Sequence, residues 1–541
     1  MAYTTLKFAL FVAVVMLVYF GFPKKEYRWT VLLAASYYFY LLASFRLVAF
    51  LLLTTASTFY GALAISKISE QTKAVLAEHK KDWDREQKKQ CKNQAASRKR
   101  RILTGILVLN FGILVFLKYY NLFAGSLNDL LGVCGIQLSA PTLNLMLPLG
   151  ISFYTFQSMG YLIDVYWEKV EPQRNLARFA LFVSFFPQIV QGPISMYDQL
   201  AHQLYESHDF DFTRFKHGLE LILWGCFKKM VVADRAVMAL NTAIDDYGAW
   251  NGTALIFVML IYAVQIYGDF SGGIDISRGV SQIFGIHMTD NFRQPYFARS
   301  LSEFWNRWNM TLGGWFKKYL FYPLAVSKSF FALGKKIRGT KFGATGAGQH
   351  VSKVLPTSLA SFAVFLLVGA WHGANWKYLG FGLWNGGIIM LSSLLAPAYA
   401  ALARKLKIKT ESFLFRLFQM GRTFLVVLGG YVFDVAPNLT ESLNTFRRVL
   451  TDHSVSTALN QIRYNMGLEV WYYKVVFAGF GVMLLVDLYH ERYGCGTLRQ
   501  ALDAKPFLVR YGLILGCLLA TLYYGVWGPA FGAAAFVYMQ F

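Results

Sequence analysis

One histidine of this chain stands where a titratable ring has to be explained. His372 lies in Val-Phe-Leu-Leu-Val-Gly-Ala-Trp-His-Gly-Ala-Asn-Trp, at the end of one long apolar run and just before another. Ionisable groups at membrane depth are costly and usually face a cavity, a partner or a substrate path. The other histidines make the contrast. His79, His202, His208, His350 and His453 stand in polar stretches, His217 and His490 at the ends of apolar runs, and His287 in a turn-rich connection. An imidazole so placed offers proton transfer as a general base or, alternatively, nucleophilic attack. The competing reading is a ring satisfied by a backbone carbonyl inside a helix bundle.

Further polar side chains interrupt the apolar runs between about 146 and 325, in three groups. The first is Leu147-Pro-Leu-Gly-Ile-Ser-Phe-Tyr-Thr-Phe-Gln157, with Tyr161-Leu-Ile-Asp-Val-Tyr166 and Phe185-Phe-Pro-Gln-Ile-Val-Gln-Gly-Pro193 after it. The second is Gln265-Ile-Tyr-Gly-Asp-Phe-Ser-Gly-Gly273, followed by Asn291-Phe-Arg-Gln-Pro-Tyr296. The third is Phe304-Trp-Asn-Arg-Trp-Asn-Met-Thr-Leu-Gly-Gly-Trp-Phe316. At about 100° per residue, Phe304, Trp305, Trp308, Leu312, Trp315, Phe316 and Tyr319 share an arc of about 120°, and Asn306, Arg307, Thr311, Lys317 and Lys318 take the other side. This predicts an interfacial helix, its tryptophans and basic residues at the headgroup level, with a bend at Gly313 and Gly314. Asn309 falls at the edge of the apolar arc and reads either as a brace for the helix or as a functional amide. Asp269, Ser271, Asn291 and Arg307 read as groups that line or brace a tunnel, since buried charges and amides are commonly paired for packing alone.

The elements that must position these groups are membrane helices. The chain has 541 residues, is 55% hydrophobic and 17% aromatic, and is too apolar for an ordinary soluble domain. Apolar stretches near 6–22, 29–43, 47–66, 102–118, 146–166, 176–193, 216–233, 253–270, 354–371, 376–398, 422–436, 471–488 and 508–527 approach or reach the length of about 20 residues that spans a bilayer. Those at 29–43 and 422–436, and the pieces interrupted at Pro148, Pro187 and Gly268, are short enough to be tilted, re-entrant or buried in protein. The fold class expected is all-α, a polytopic transmembrane bundle with interfacial and re-entrant helices. The first stretch reads as a membrane helix rather than a cleaved signal, because no small-residue cleavage site precedes Phe22-Pro23-Lys24-Lys25. The chain is expected to form a single domain over 1–541. Within it lie a cytoplasmic polar segment at 67–101, a motif-bearing core at 146–398 and C-terminal helices at 422–541.

The net charge of +23 collects in loops, at Lys80 to Arg101, Lys328 to Lys353 and Arg404 to Lys409, which marks those loops as cytoplasmic and argues against nucleic acid as a partner. The interleaved charges of 67–101 read as a solvated helix or loop. Five dispersed cysteines form no Cys-x-x-Cys and no cluster with histidine, so neither a zinc site nor a disulfide framework is indicated. There is no Gly-x-x-x-x-Gly-Lys phosphate loop.

Taken in order, Pro-Leu-Gly-Ile-Ser-Phe-Tyr-Thr-Phe-Gln, Phe-Phe-Pro-Gln-x-x-x-Gly-Pro-Ile, Gln-Ile-Tyr-x-Asp-Phe-Ser-Gly, Asn-Phe-x-x-Pro-Tyr, Phe-Trp-x-Arg-Trp and Trp-His-Gly resemble the membrane-bound O-acyltransferase superfamily. The resemblance is nearest to bacterial alginate O-acetyltransferase-like proteins and more distant to the D-alanyl transferase of teichoic acid synthesis. It runs from Ser36-Tyr-Tyr-Phe-Tyr40 to the closing Ala-Phe-Val-Tyr-Met-Gln-Phe541. It implies a helical core around a tunnel, with His372 as the active-site histidine and Asn309 at the second motif position. Trp305, Trp308, Trp371 and Asn375 are implied as tunnel or substrate contacts, beside Asp269, Ser271, Asn291 and Arg307. Bacterial relatives usually carry histidine where this chain has Asn309, and often His-Gly where it has Asn385-Gly386.

The chemistry implied is acyl transfer to a hydroxyl, with His372 as base and Asn309 orienting the acceptor or donating to the developing oxyanion. No bound cofactor or metal is expected. The donor would be acetyl-CoA or an acyl-carrier thioester from the cytosol. The acceptor would be an extracytoplasmic polysaccharide or a secreted or periplasmic acyltransferase partner, with the protein multi-pass in a bacterial inner membrane. Along an ideal helix from the 328–353 loop, His372 lies about 28 Å away, nearer the far face than the midplane. Two other readings stay open: a transporter of polymer or acyl carrier, for which inverted repeats would be the sign, and an inactive scaffold, suggested by Asn309.

Overall fold

The computed structural model describes residues 3–43, 45–136 and 139–527, and among them every regular element is helical. The closing segment 528–541, part of the expected C-terminal region and of the resemblance, lies outside the described residues. Among the described residues seven helices are long and apolar enough to cross a membrane, or eight if a pair bent by 59° counts as one span. The protein is an all-α, multi-pass membrane protein. The chain clusters into two compact units, Met1–Leu221 with Ser277–Thr289, and Ile222–Ile276 with Asp290–Phe541.

The first unit holds α1 (Leu6–Gly21), α2 (Arg28–Ala43), α3 (Val48–Glu78), α4 (Arg85–Val133), α5 (Ile151–Tyr166), α6 (Leu176–Ser184), α7 (Phe186–Ile189), α8 (Tyr197–Tyr205) and most of α9 (Phe212–Cys226). The polar segment 67–101 is helical at both ends, as the last turns of α3 and the first of α4. Asp84 caps α4 by accepting from the Gln87 amide at 2.7 Å, while the Gln87 side chain accepts from the Asp84 amide at 3.0 Å. The apolar stretch at 146–166 becomes helical only after Gly150. That residue has φ +67, and a Cβ there would meet the Ile189 carbonyl oxygen at 2.1 Å, so glycine is required twice over. The stretch at 176–193 is broken between α6 and α7, with Pro187 in the first turn of α7.

The second unit holds α10 (Asp234–Asp245), α11 (Gly252–Ile283, up to Ile276), α12 (Leu301–Arg307), α13 (Met310–Phe316), α14 (Tyr322–Ala325), α15 (Lys328–Arg338), α16 (Gly346–His372), α17 (Lys377–Leu394), α18 (Ala396–Lys405), α19 (Phe413–Val435), α20 (Leu439–Thr451), α21 (Val455–Asn460), α22 (Val470–Tyr493), α23 (Thr497–Asp503) and α24 (Phe507–Tyr524). Two expectations are corrected. Gly268 does not interrupt its stretch, because α11 is continuous and the carbonyl of Lys228 lies 3.0 Å from where a Cβ would be. The stretch at 422–436 is the end of the 23-residue α19, long enough to cross.

The continuous interfacial helix expected over 304–316 is also corrected. It is two short helices, α12 and α13, separated at Trp308 and Asn309, and Asn309 adopts φ 44 and ψ 54. The cause is competition for backbone groups. The Asn291 carbonyl accepts from the Met310 amide at 3.0 Å and its Oδ1 from the Thr311 amide at 3.0 Å, while the Arg293 amide donates to the Arg307 carbonyl at 2.9 Å. The donors and acceptor that would have continued the helix are taken. The aromatic arc is packed inside the unit instead of facing headgroups: Phe304, Trp308, Trp315 and Phe316 are all buried. The rings of Phe292 and Phe304 lie 5.0 and 5.6 Å from that of Trp308.

Candidate active site

His372 is the last residue of α16 and is buried. Its place is set by an approach of α16 and α17 that only glycine permits. A Cβ on Gly369 would lie 2.3 Å from the Tyr378 carbonyl oxygen, and one on Gly382 would lie 2.7 Å from that of Phe365. Small residues let helix backbones meet closely in a membrane. The imidazole rests on Phe381, ring centroids 4.5 Å apart, with Trp371 edge-on at 5.4 Å.

A cavity of about 410 Å³ runs along α16 to this ring. One face of the helix supplies Val354, Thr357, Ser358, Ser361, Phe365, Val368 and His372, a stretch of about 27 Å at 1.5 Å per residue. The facing wall comes from α12, α13 and the π-helical turn 317–321, with Trp305, Asn306, Trp308, Asn309, Phe316 and Lys317. The cavity is mixed in character, apolar walls alternating with hydroxyls and amides. Along α16 it runs from Val354, next in sequence to the basic segment 328–353, to His372.

Asn309 owes its conformation and the aim of its side chain to Asn291. Asn291 Oδ1 must be the oxygen, because it accepts from a backbone N–H and, at 2.8 Å, from the Thr311 hydroxyl. Its Nδ2 therefore faces Asn309 and donates to Oδ1 at 3.1 Å, which leaves Asn309 Nδ2 as the group available to the cavity. Asparagine tolerates the left-handed region better than most L-residues, as does histidine. Asparagine, and the histidine that the resemblance implies for this position, therefore both suit the turn.

A second, small chamber of about 10 Å³ lies on the other side of the imidazole, bordered by Tyr262, Trp305, Trp308, Phe381, Tyr431 and Asp434. Asp434 Oδ1 is 3.7 Å from His372 Nδ1. Trp305, which borders both spaces, donates from Nε1 to Asn385 Oδ1 at 3.0 Å.

Of the residues expected at the site, His372, Asn309, Trp305 and Trp308 are brought together around the cavity. The others stand apart from it. Asp269 pairs with Lys229 at 2.5 Å, and that ammonium also meets Asp234 at 2.6 Å. Ser271 accepts from Lys228 at 3.0 Å, and Arg307 is held by Glu303 and Glu491, each at 2.7 Å. Asn291 braces the Asn309 turn. Asn375 accepts from the Lys377 amide at 3.0 Å, where the chain enters α17. Trp371 packs on the histidine without lining either space. Asp269, Ser271, Asn291 and Arg307, read as lining or bracing a tunnel, thus stand in bracing positions, and Trp371 and Asn375 lie outside the lining of this cavity.

The residues missed are Asp434, Asn385 and the hydroxyl stripe of α16. The stripe had a signal, since Thr357, Ser358 and Ser361 recur on the helical face that ends at His372. Asp434 had one too, as a lone carboxylate at the end of the 422–436 stretch.

Residues 172–338 match the model of the membrane-bound O-acyltransferase family. The chain is 28% identical to a probable alginate O-acetylase of Pseudomonas syringae pv. tomato, over 86% of this chain and 79% of that protein. It is 30% identical to a probable alginate O-acetylase of Pseudomonas aeruginosa, over 77% of this chain and 68% of the relative. It is also 30% identical to a peptidoglycan O-acetyltransferase of Helicobacter pylori, over 70% of this chain and 72% of the relative.

Proposed function

The chain belongs to the membrane-bound O-acyltransferase family and is an acyltransferase, and from this premise we propose that it carries an acetyl group from a cytosolic thioester to a hydroxyl of an exported polysaccharide or of a relay partner. The observation that carries the reading is the placement of His372 at the end of a cavity that runs along α16 from Val354, next in sequence to the basic segment 328–353. Basic loops lie on the cytosolic side. A cavity of this form suits a linear arm bearing the acyl group at its tip, as acetyl-CoA or an acyl-carrier thioester does. Alginate- and peptidoglycan-modifying relatives favour an extracytoplasmic polymer as acceptor and the inner membrane of a bacterium as location.

In this reading the imidazole of His372 takes the proton of the acceptor hydroxyl as its oxygen attacks the thioester carbonyl carbon. The carbonyl π pair moves to oxygen, and the oxyanion is met by Asn309 Nδ2–H, a fixed dipole that needs no titration. Collapse re-forms the carbonyl and breaks the carbon–sulfur bond, and the departing thiolate takes the proton from the imidazolium. The aromatic walls exclude bulk water from the thioester. The test is the ester-linked acetate of exported polysaccharide in cells expressing His372→Ala at the parent's protein level. Near-complete loss is expected, and unchanged acetate would refute the reading.

A further inference from the structure

Asp434 is the second-last residue of α19, and its side chain is 5% exposed. Its Oδ1 is buried without a hydrogen-bond partner. An ionised carboxylate removed from water is costly unless it is paired. The imidazole is close at hand, with Nδ1 at 3.7 Å. A side-chain shift of about one ångström brings this to the 2.7–2.9 Å of a charge-assisted hydrogen bond. The backbone that carries Asp434 is held fast. Lys377 Nζ donates to the carbonyls of Asp434 and Ala436, 2.8 Å each, and so ties the end of α19 to the start of α17. The lysine ammonium also acts electrostatically on the carboxylate, whose Oδ1 stands 3.7 Å from His372 Nδ1. The other titratable groups around the ring are the phenols of Tyr378, Tyr431 and Tyr262.

We propose that Asp434 is a positioning residue for the transfer reaction. It accepts the Nδ1–H of His372, which selects the tautomer whose Nε2 carries the lone pair, and it steadies the imidazolium formed in mid-reaction. The proton passes from acceptor hydroxyl to Nε2 and from Nε2 to the leaving thiolate, and Asp434 stays ionised throughout. This rests on the acyl-transfer reading above and adds the partner that makes His372 a base.

The test uses the full-length protein in lipid vesicles with acetyl-CoA as donor and alginate as acceptor. Asp434→Asn keeps the volume, but its amide N–H turned to Nδ1 selects the opposite tautomer. Turnover is expected to fall by about 10²–10⁴-fold while KM for acetyl-CoA stays within about threefold. Asp434→Glu should recover part of the loss. In parallel, the ¹⁵N shifts of His372, assigned by their absence in His372→Gln, should report a protonated Nδ1 in the parent and a protonated Nε2 in Asp434→Asn. Turnover in Asp434→Asn within threefold of the parent, or the same tautomer in both proteins, would overturn the proposal. Absence of turnover in the parent alongside the expected tautomer switch would count against the donor or acceptor assignment and support the role of Asp434.

Discussion

Replacing Asn309 separates what its backbone does from what its amide does. Its left-handed conformation, φ 44 and ψ 54, costs a residue with a Cβ about 1–2 kcal/mol and costs glycine almost nothing. Its Oδ1 accepts from Asn291 Nδ2 in a site where Asn291 is buried, so deleting the side chain leaves that donor unmet at about 1–3 kcal/mol. Asn309→Gly loses the bond but gains the permissive backbone, and the net cost is about 0–2 kcal/mol. Asn309→Ala loses the bond and keeps the strain, and should be about 1–2 kcal/mol less stable than the glycine variant. Both lack the oxyanion donor, so turnover should fall by about 10²–10³-fold in each. Thermal unfolding in detergent reads the first quantity, and acetyl transfer from acetyl-CoA the second. Equal stability of the two variants would refute the backbone reasoning. Turnover of Asn309→Gly within a few-fold of the parent would refute the role of the amide. Asn309→His fits the turn but brings a bulkier ring into the cavity, and a loss of transfer is expected there too.

Two further outcomes follow from packing and charge. Gly369→Ala places a methyl 2.3 Å from the Tyr378 carbonyl oxygen and 3.1 Å from the Gly382 nitrogen, so α16 and α17 must part. A cost of about 1–3 kcal/mol in thermal unfolding and a large loss of turnover are expected, whereas Gly387→Ala, with nothing within 4 Å of its new methyl, should be neutral or slightly stabilising. Glu168 is held by hydrogen bonds from Lys73 and Lys99, which bring its carboxyl from the ordinary 4.5 down to about 2. A depressed carboxylate contributes stability above its ordinary value and loses it as pH falls toward the lowered one. The stability difference between the parent and Glu168→Gln should therefore be level above about pH 5.5 and close between about pH 4.5 and 2, staying below about 1 kcal/mol because the side chain is 41% exposed. A difference that ignores pH across that window would contradict the assignment.

The helices were legible in the sequence because hydrophobic runs are a property of residue type alone. The stretches at 354–371 and 471–488 each fall inside one helix, α16 and α22, and that at 47–66 lies in α3 but for its first residue. The break at Asn309 was not legible. The apolar arc of 304–316 keeps its periodicity across two non-helical residues, and the helix is ended by acceptors of Asn291 and the amide of Arg293, which the local pattern does not contain. His372 was legible as a ring that composition could not explain. Asp434 was passed over because its meaning depends on α19 ending beside α16, 62 residues earlier in the chain. For Asp269 and Arg307 the sequence leaves lining and bracing open, because buried charge marks both sites and braces, and only their partners Lys229 and Glu491 tell the two apart.

The central claim is that His372 removes the acceptor proton at the inner end of the cavity. Its most direct measurement is the rate at which the purified protein in lipid vesicles transfers labelled acetyl from acetyl-CoA to alginate, for the parent and for His372→Ala folded to the same extent. Transfer by His372→Ala is expected to fall to the background of protein-free vesicles. Transfer by that variant within tenfold of the parent would contradict it.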